Sequence, residues 1–420
     1  MKTIADLHIH SRHSRACSKA INIENLEKYA GIKGVSLLGT GDFTHPEWLK
    51  EIKEKLREDE NGVLWTKTGF PFIWQTEISL MYTQDNKGRK VHLVILAPDK
   101  DTVEQINSAL IKLGRLDYDG RPIFGMSCTG FAELVKGISK EIEIIPAHAW
   151  TPFFGILGSK SGFDSVEECF KDQAKHIHAI ETGMSSDPAM NWRLSKLDKY
   201  TLVSNSDSHS FWPWRLGREA NVFELKQITY KNIIRAIRTK EGFEETIEVD
   251  PSYGKYHYDG HRNCGVCMSP NEAIKNKNIC PKCGRELTIG VLHRVEELAD
   301  RPEGFRPKDA VPFRALIPLS EIIAETGRTG IATQKTWKTF NGLISRFGSE
   351  FRVLLEAGEE ELKKSVEEKL AQAIIKNREG KISIRPGYDG EYGRPILDEN
   401  AAEQKTAPKP RHQQKGLDEY

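Results

Sequence analysis

Short β-branched apolar runs alternate with helix-period stretches over roughly the first 250 residues. Runs at Gly34–Thr40, Phe72–Ile78, Lys90–Ala97, Ile142–His148, Ile177–Thr182, Thr201–Asn205 and Asn221–Leu225 read as strands. Between them Ile23–Ala30, Val103–Leu113, Phe131–Val135 and Tyr230–Arg238 repeat their apolar positions at helical spacing. Seven strands with helices interleaved predict an α/β layer or barrel.

The pattern changes twice further on. Around 256–300 Cys, His, Asn, Pro and Gly replace the periodic apolar residues, which marks a small module. From about 310 to 397 the chain is helix-rich. Ser320 is placed to cap a helix over Glu321–Thr326, and Trp337, Phe340, Leu343, Ile344 and Phe347 recur at helical spacing. Glu359–Asn377 reads as one amphipathic helix with Leu362, Val366, Leu370, Ala373 and Ile374 on one face. Beyond Leu397 the sequence is too polar to build a core. The expected division is a catalytic barrel over 1–250, a Cys module over 251–305, a helical domain over 306–397 and a disordered tail over 398–420.

Charge narrows the classes of function. Lys and Arg total 61 against 60 Asp and Glu, a formal net charge of +1 over 420 residues. That balance excludes a wholesale polycation but not a basic groove on one face. No apolar run approaches the ~20 residues of a spanning helix. The charged, His-containing N-terminus does not read as a signal peptide, so a cytoplasmic protein that uses no membrane is expected. Seven cysteines are an odd number, and four of them fall in two CxxC pairs. This suits a reducing compartment and a metal site better than a disulfide framework.

Polar chemistry concentrates where the predicted strands end. In Asp6-Leu7-His8-Ile9-His10, positions two apart share a face, so His8 and His10 would project together. Asp42, Glu77, His148, Asp207 and His209 recur at or after later strand ends, and His92 sits inside an apolar strand. Ionisable groups at the carboxyl ends of many strands converge on one mouth. Three acids and five imidazoles form a donor set for Zn²⁺, Mn²⁺ or Fe²⁺.

Taken in order, DLHIHS, TGDF, WQTEIS, HLVILAP, PAHAW and NSDSHS resemble the PHP (polymerase and histidinol phosphatase) superfamily over about residues 1–225. The resemblance implies a distorted seven-stranded βα barrel that holds two or three divalent ions (Zn²⁺, Mg²⁺ or Mn²⁺) and hydrolyses phosphoesters. It places His8 and His10 in the first motif, Glu77 and His92 in the third, His148 in the fourth, and Asp207 with His209 in the last. The second motif departs from the family: Asp42 takes the ligand's place, Phe43 follows it, and His45 is the nearest histidine. Only His13 and Cys17 stand where a further ligand usually follows the HxH pair.

Cys264-Gly-Val-Cys267 and, twelve residues on, Cys280-Pro-Lys-Cys283 have the spacing of a closed Cys₄ structural zinc site. Arg262, Lys282 and Arg285, with Lys275 and Lys277, surround it and are candidate phosphate contacts. Trp212 and Trp214 follow the last metal motif and suit either core packing or stacking on a nucleobase. Gly327–Gly330 (GRTG) suits either a plain turn or a cradle of backbone N–H groups for a phosphate. Gln414, Leu417 and Tyr420 follow the spacing of peptides that dock repair proteins on the sliding clamp.

Barrel, Cys module and helical domain, in this order, resemble the endonuclease Q family across nearly the whole chain. That resemblance implies a DNA-repair enzyme that cuts 5′ to hypoxanthine, uracil, xanthine or abasic sites, with His8, His10, Glu77, Asp207 and His209 at its catalytic centre, and the helical domain over 306–397 is expected to contact the DNA. The residues themselves leave two alternatives open, a phosphatase on a small phosphorylated substrate and a non-catalytic nucleic-acid-binding scaffold.

Overall fold

The computed structural model describes residues 1–397. The polar tail, with its clamp-docking spacing at Gln414, Leu417 and Tyr420, lies outside the described residues.

Eight strands form the largest sheet, in the order Phe313–Ala315, Phe243–Glu248, Ala220–Glu224, Lys2–Asp6, Leu37–Gly39, Pro71–Ile73, Leu64–Trp65 and Arg57–Glu58. Ile123–Phe124, Gln75–Gln84, Lys87–Leu96 and Glu143–Pro146 make a second sheet, and Ala179–Glu181 pairs in parallel with Thr201–Val203. The fold is mixed α/β, followed by a helical region. Ala5, Leu37, Ile73, Val94, Ile145, Ala179 and Val203, each from a different strand, meet in one buried cluster.

These ladders do not join into one closed sheet, which differs from the expected seven-stranded barrel. Several strands are only three residues long, as at Leu37–Gly39, Ala179–Glu181 and Thr201–Val203, so few backbone pairs remain to close a ring. Isolated bonds span the gaps instead. Ala149 N–H donates to Glu181 O at 2.9 Å, His10 N–H to Ser208 O at 3.0 Å, and Leu7 N–H to the Asn205 side chain at 2.8 Å.

Two local expectations change. The run Phe72–Ile78 is not one strand, because the chain passes between sheets at Trp74, whose carbonyl accepts from Ala97 N–H at 3.1 Å. Gln75–Gln84 then forms a long antiparallel hairpin with Lys87–Leu96. Asp85 and Asn86, at φ 53° and 57°, supply its two-residue turn, since positive φ at both positions matches the twist of the flanking strands.

Helix starts largely follow the sequence. Asn22, Asp99, Ser127 and Thr229 each accept a backbone N–H three residues on, capping the Ile23–Lys33, Lys100–Leu110, Cys128–Ile138 and Tyr230–Thr239 helices. Ser320 does not cap. The helix begins earlier, at Leu319, because the Glu350 carboxylate accepts Leu319 N–H at 2.9 Å and so satisfies its first turn. The single helix expected over Glu359–Asn377 is two, Glu359–Lys363 and Glu368–Arg378, joined by a tight turn.

Candidate metal centre

The strand ends bring His8, His10, Glu77 and Asp207 together, with one donor atom from each lying within 4.8 Å of the others. A second group, Glu77, His92 and His148, meets the same criterion and shares Glu77 with the first. Glu77 Oε1 lies 2.9 Å from His92 Nδ1 and 3.2 Å from His148 Nε2. Its Oε2 lies 3.3 Å from His10 Nε2 and accepts from Arg121 at 2.9 Å. Asp207 Oδ1 is 3.0 Å from His10 Nε2. One fully buried carboxylate therefore bridges two imidazole pairs.

Backbone strain helps to aim these groups. Asp42, His148 and Asp207 all take positive φ, at 37°, 30° and 47°, which is uncommon away from glycine and concentrates at functional sites. Gly183 passes so close to His148 that a Cβ there would lie 2.7 Å from the histidine's own Cβ. A larger residue at 183 would displace the ring.

The electrostatics are those of a compensated charge cluster. Burial works against the imidazolium, yet Glu181 and Glu77 hold His8, and Asp42, Asp207 and Glu77 hold His10, well above the usual histidine range. Burial would likewise raise Glu77 and Asp207. Both lie well below the carboxylate range because His92, Arg121 and His8 face Glu77, while His209, His10 and His8 face Asp207. Burial pulls His92 down to about 4.

The donor set fits a divalent metal. His8 Nε2 is buried without a hydrogen-bond partner, aimed between Glu77 and Asp207 at 3.7 Å from each. An orphaned imidazole nitrogen facing two carboxylates is costly unless a cation takes it up.

The remaining expected residues stand apart from these two groups. Asp42 lies behind His10, with one oxygen 2.9 Å from Nδ1 and the other accepting from Ser11 N–H at 2.6 Å and Ser14 Oγ at 2.9 Å. Both its oxygens are thus committed to holding the loop. His209 sits beside His10, with ring centres 4.7 Å apart, but its Nδ1 turns to the Asp207 carbonyl at 2.9 Å. His13 and His45 stack on each other at 4.1 Å, and Cys17 is buried. Among the described residues no third group gathers at this centre.

Two further site residues escaped the sequence reading. Glu181 accepts or shares a proton with His8 Nδ1 at 3.0 Å and accepts from His148 N–H at 2.7 Å and Asn205 at 2.9 Å. It ends the Ala179–Glu181 strand, so the strand-end rule that found the other acids also pointed to it. Arg121 lies in an irregular loop, and no periodic pattern marks it. Beside the centre, a cavity of about 340 Å³ is lined by His92, His148, Asp207, Phe153, Met184 and Arg218 among others. Its volume falls in the usual range for a small-molecule site.

In the Cys module the structure replaces one expected ligand. His261, Cys264, Cys280 and Cys283 converge, with Cys283 Sγ 3.3 Å from His261 Nδ1, whereas Cys267 stays outside. Adjacent residues of a strand face opposite ways. In Val266–Met268, Val266 joins the module's small core beside Cys280, and this turns Cys267 outward. Burial disfavours the Cys280 thiolate, but the Lys282 and Cys283 N–H groups bring its thiol down to about 6, ready for a metal.

The candidate substrate contacts are dispersed. Trp212 and Trp214 stack on each other at 5.1 Å, and Trp337 of the helical region packs against both at 5.4 and 5.5 Å. They cement a junction there. Lys282 donates to the Cys264 carbonyl at 2.7 Å, and the Arg262 N–H donates to Asp389 at 2.6 Å. Arg262, Lys282 and Arg285 are exposed on the module.

Known proteins share this architecture. Residues 318–381 match the family model of the MJ0043 C-terminal domain. The chain is 34% identical over 290 residues to the uncharacterized protein MJ0043 of Methanocaldococcus jannaschii, a match covering 68% of this chain and 35% of that protein. It thus spans about a third of that relative's length. With the uncharacterized protein YqxK of Bacillus subtilis it shares 29% identity over 413 residues, covering 94% of this chain and 99% of that one. Among solved structures, it matches the lesion-specific endonuclease PfuEndoQ from Pyrococcus furiosus at a TM-score of 0.85 and 32% identity, over 96% of this chain and 98% of that one. The same figures hold for Endonuclease Q in complex with a 27-mer duplex that carries an abasic lesion at the active site. No helix among the described residues is long and apolar enough to cross a membrane.

Proposed function

This chain belongs to the endonuclease Q family, and from that premise we propose that it is a metal-dependent phosphodiesterase of DNA repair. Its substrate is a duplex carrying a deaminated base (hypoxanthine, uracil or xanthine) or an abasic site, cut on the 5′ side of the lesion. The observation that carries this reading is Glu77 bridging two donor groups beside a cavity, with His8 Nε2 orphaned between two carboxylates. His8, His10, Glu77 and Asp207 would hold one ion, and Glu77, His92 and His148 a second, in the manner of a distorted PHP-type barrel. When bound there, two divalent ions supply an activated water and a clamp for the phosphate.

The chain's own residues set up this chemistry. Glu181 and Asp42 fix the tautomer and tilt of His8 and His10 by holding their rear nitrogens. Thr151, 3.0 Å from His148 Nδ1, does the same for His148. Arg121 pairs with Glu77 at the mouth, with its side chain 21% exposed, and so presents a guanidinium to an incoming phosphate. The cavity beside His148 receives the extruded lesion nucleotide, and extrusion costs least where pairing is already damaged. His261, Cys264, Cys280 and Cys283 would hold a structural zinc.

The test incubates the full chain with Mg²⁺, Mn²⁺ or Zn²⁺ and labelled duplexes bearing one uracil, hypoxanthine or abasic site, beside p-nitrophenyl phosphate. A single metal-dependent cut 5′ to the lesion is expected. Hydrolysis of the small ester alone would replace this reading with a phosphatase. Lesion binding without any cut would replace it with a scaffold.

A further inference from the structure

We propose that Phe154 is a positioning residue for the second of the two ions. Its ring fixes the His92 imidazole where a carboxylate would otherwise stand, and so makes that ion the weaker and more exchangeable of the pair. This rests on the reading of the centre as a two-ion site, and Phe154 acts on the ion only through His92.

Four imidazoles enter the two donor groups, and three of them are held from behind. His8 Nδ1 lies 3.0 Å from Glu181, His10 Nδ1 2.9 Å from Asp42, and His148 Nδ1 3.0 Å from Thr151. His92 is the exception. Its Nδ1 faces the centre, 2.9 Å from Glu77 Oε1 and 3.1 Å from His148 Nε2. Among the described residues no protein group hydrogen-bonds its Nε2.

Phe154 covers this ring instead, with ring centres 4.3 Å apart and the two planes tilted by 32°. An aromatic contact of this kind fixes orientation without a hydrogen bond to the ring nitrogen. The same residue also meets the His92 backbone, whose N–H donates to the Phe154 carbonyl at 2.9 Å. Phe154 does this at φ 67°, a conformation uncommon for an aromatic residue. Such strain persists only where surrounding contacts over-determine it. Here Ser161 Oγ accepts the Phe154 N–H at 3.3 Å, and Lys90 N–H donates to the Ser161 carbonyl at 3.4 Å. Gly158 is wound in so closely that a Cβ there would lie 2.1 Å from the Thr151 carbonyl. The loop over 151–162 therefore holds both imidazoles of the second group, His148 through Thr151 and His92 through Phe154.

The two groups differ in kind as a result. A carboxylate behind an imidazole raises its basicity as well as fixing its tilt, and His8 and His10 both have one. A hydroxyl and an aromatic face fix the tilt and do far less for basicity. The first group also offers four donors against three. Both differences favour the first ion, so the centre fills in order.

The experiment titrates the metal-free full chain with Mn²⁺ by calorimetry, because thiolate sites disfavour Mn²⁺ and the Cys module stays out of the signal. The parent should bind two ions in separate phases, the first about 10-fold or more tighter. Phe154→Ala should weaken the second phase roughly 2–10-fold and leave the first unchanged. Phe154→Tyr keeps the ring and should restore the second phase. Phe154→Gly relieves the backbone but deletes the ring, so its second phase should be as weak as that of Phe154→Ala. On a lesion duplex, the Mn²⁺ concentration for half-maximal cleavage should rise by the same factor. Two phases of equal affinity in the parent, or a second phase unchanged in Phe154→Ala, overturns the role of Phe154 and leaves the two-ion reading standing. Equal weakening of both phases in all three variants would make Phe154 a packing residue and overturns it too. A second phase weakened as expected, in a chain that cuts no lesion, would sink the proposed activity and leave this role intact.

Discussion

Glu181 holds His8 from behind, 3.0 Å from Nδ1, and so leaves Nε2 free to face Glu77 and Asp207. The carboxylate also takes the His148 N–H and the Asn205 amide, tying three strand ends to one group. Glu181→Gln should keep the fold but lose the preference for one imidazole tautomer. Metal affinity of the centre should drop about 10–100-fold, read by competition with a chelating dye. Cleavage should recover at high metal concentration. Equal affinity for variant and parent would mean that His8 needs no such support.

The Cys module gives a sharper choice between two residues. With His261 inside the donor group and Cys267 turned outward, His261→Ala should release zinc and loosen the module, while Cys267→Ser should keep one zinc per chain. Elemental analysis of both purified variants decides. Zinc retained without His261 but lost without Cys267 would restore the four-cysteine site that the spacing suggests.

Acid–base behaviour away from the metal centre is also predictable. Glu248 is fully buried among Thr246, Ser204 and Thr182, and burial raises its carboxyl to about 8 from an ordinary 4.5. An acid with a raised folded pKa keeps its proton while the unfolded chain releases its own. Stability is therefore unaffected below about 4.5 and declines as pH rises from there to about 8. Glu248→Gln removes that decline. Thermal melts should show the variant gaining on the parent between pH 5 and 8, with little difference near pH 4. A gap constant with pH would contradict a neutral Glu248.

How much of this was legible in the sequence depends on how local the signal was. His8, His10, Glu77, His92, His148 and Asp207 were readable because each follows or interrupts an apolar run, and the structure gathers all six. Asp42 carried the same signal but stands one layer back, since its neighbours Ser11 and Ser14, not the strand pattern, decide where its oxygens point. Cys267 misleads for a related reason: CxxC spacing fixes reach, while alternation along a three-residue strand fixes direction. Strand closure was not legible at all, because ladders this short are completed by side chains such as Asn205. Nor was the junction between the N-terminal α/β region and the helical region, whose partners lie some 300 residues apart.

That junction supports the last prediction. Lys33 Nζ lies 2.8 Å from Glu350 Oε1 and 2.8 Å from the Pro213 carbonyl, with the two side chains 1% and 0% exposed. Glu350 also starts the Leu319–Thr326 helix by accepting its first N–H. The pair therefore pins the tryptophan loop, where Trp212 and Trp214 meet Trp337, to two helices of the C-terminal region. Removing one partner strands a buried charge, at a cost of about 3–5 kcal/mol. Replacing both by apolar groups of similar volume removes that charge. Glu350→Ala should thus lower the melting temperature strongly and change tryptophan fluorescence at the junction. Lys33→Met with Glu350→Leu should recover much of the loss, short of the capping bond to Leu319. Denaturant unfolding of both variants settles the matter. If the double variant proves no more stable than Glu350→Ala, the buried pair is not what holds the junction.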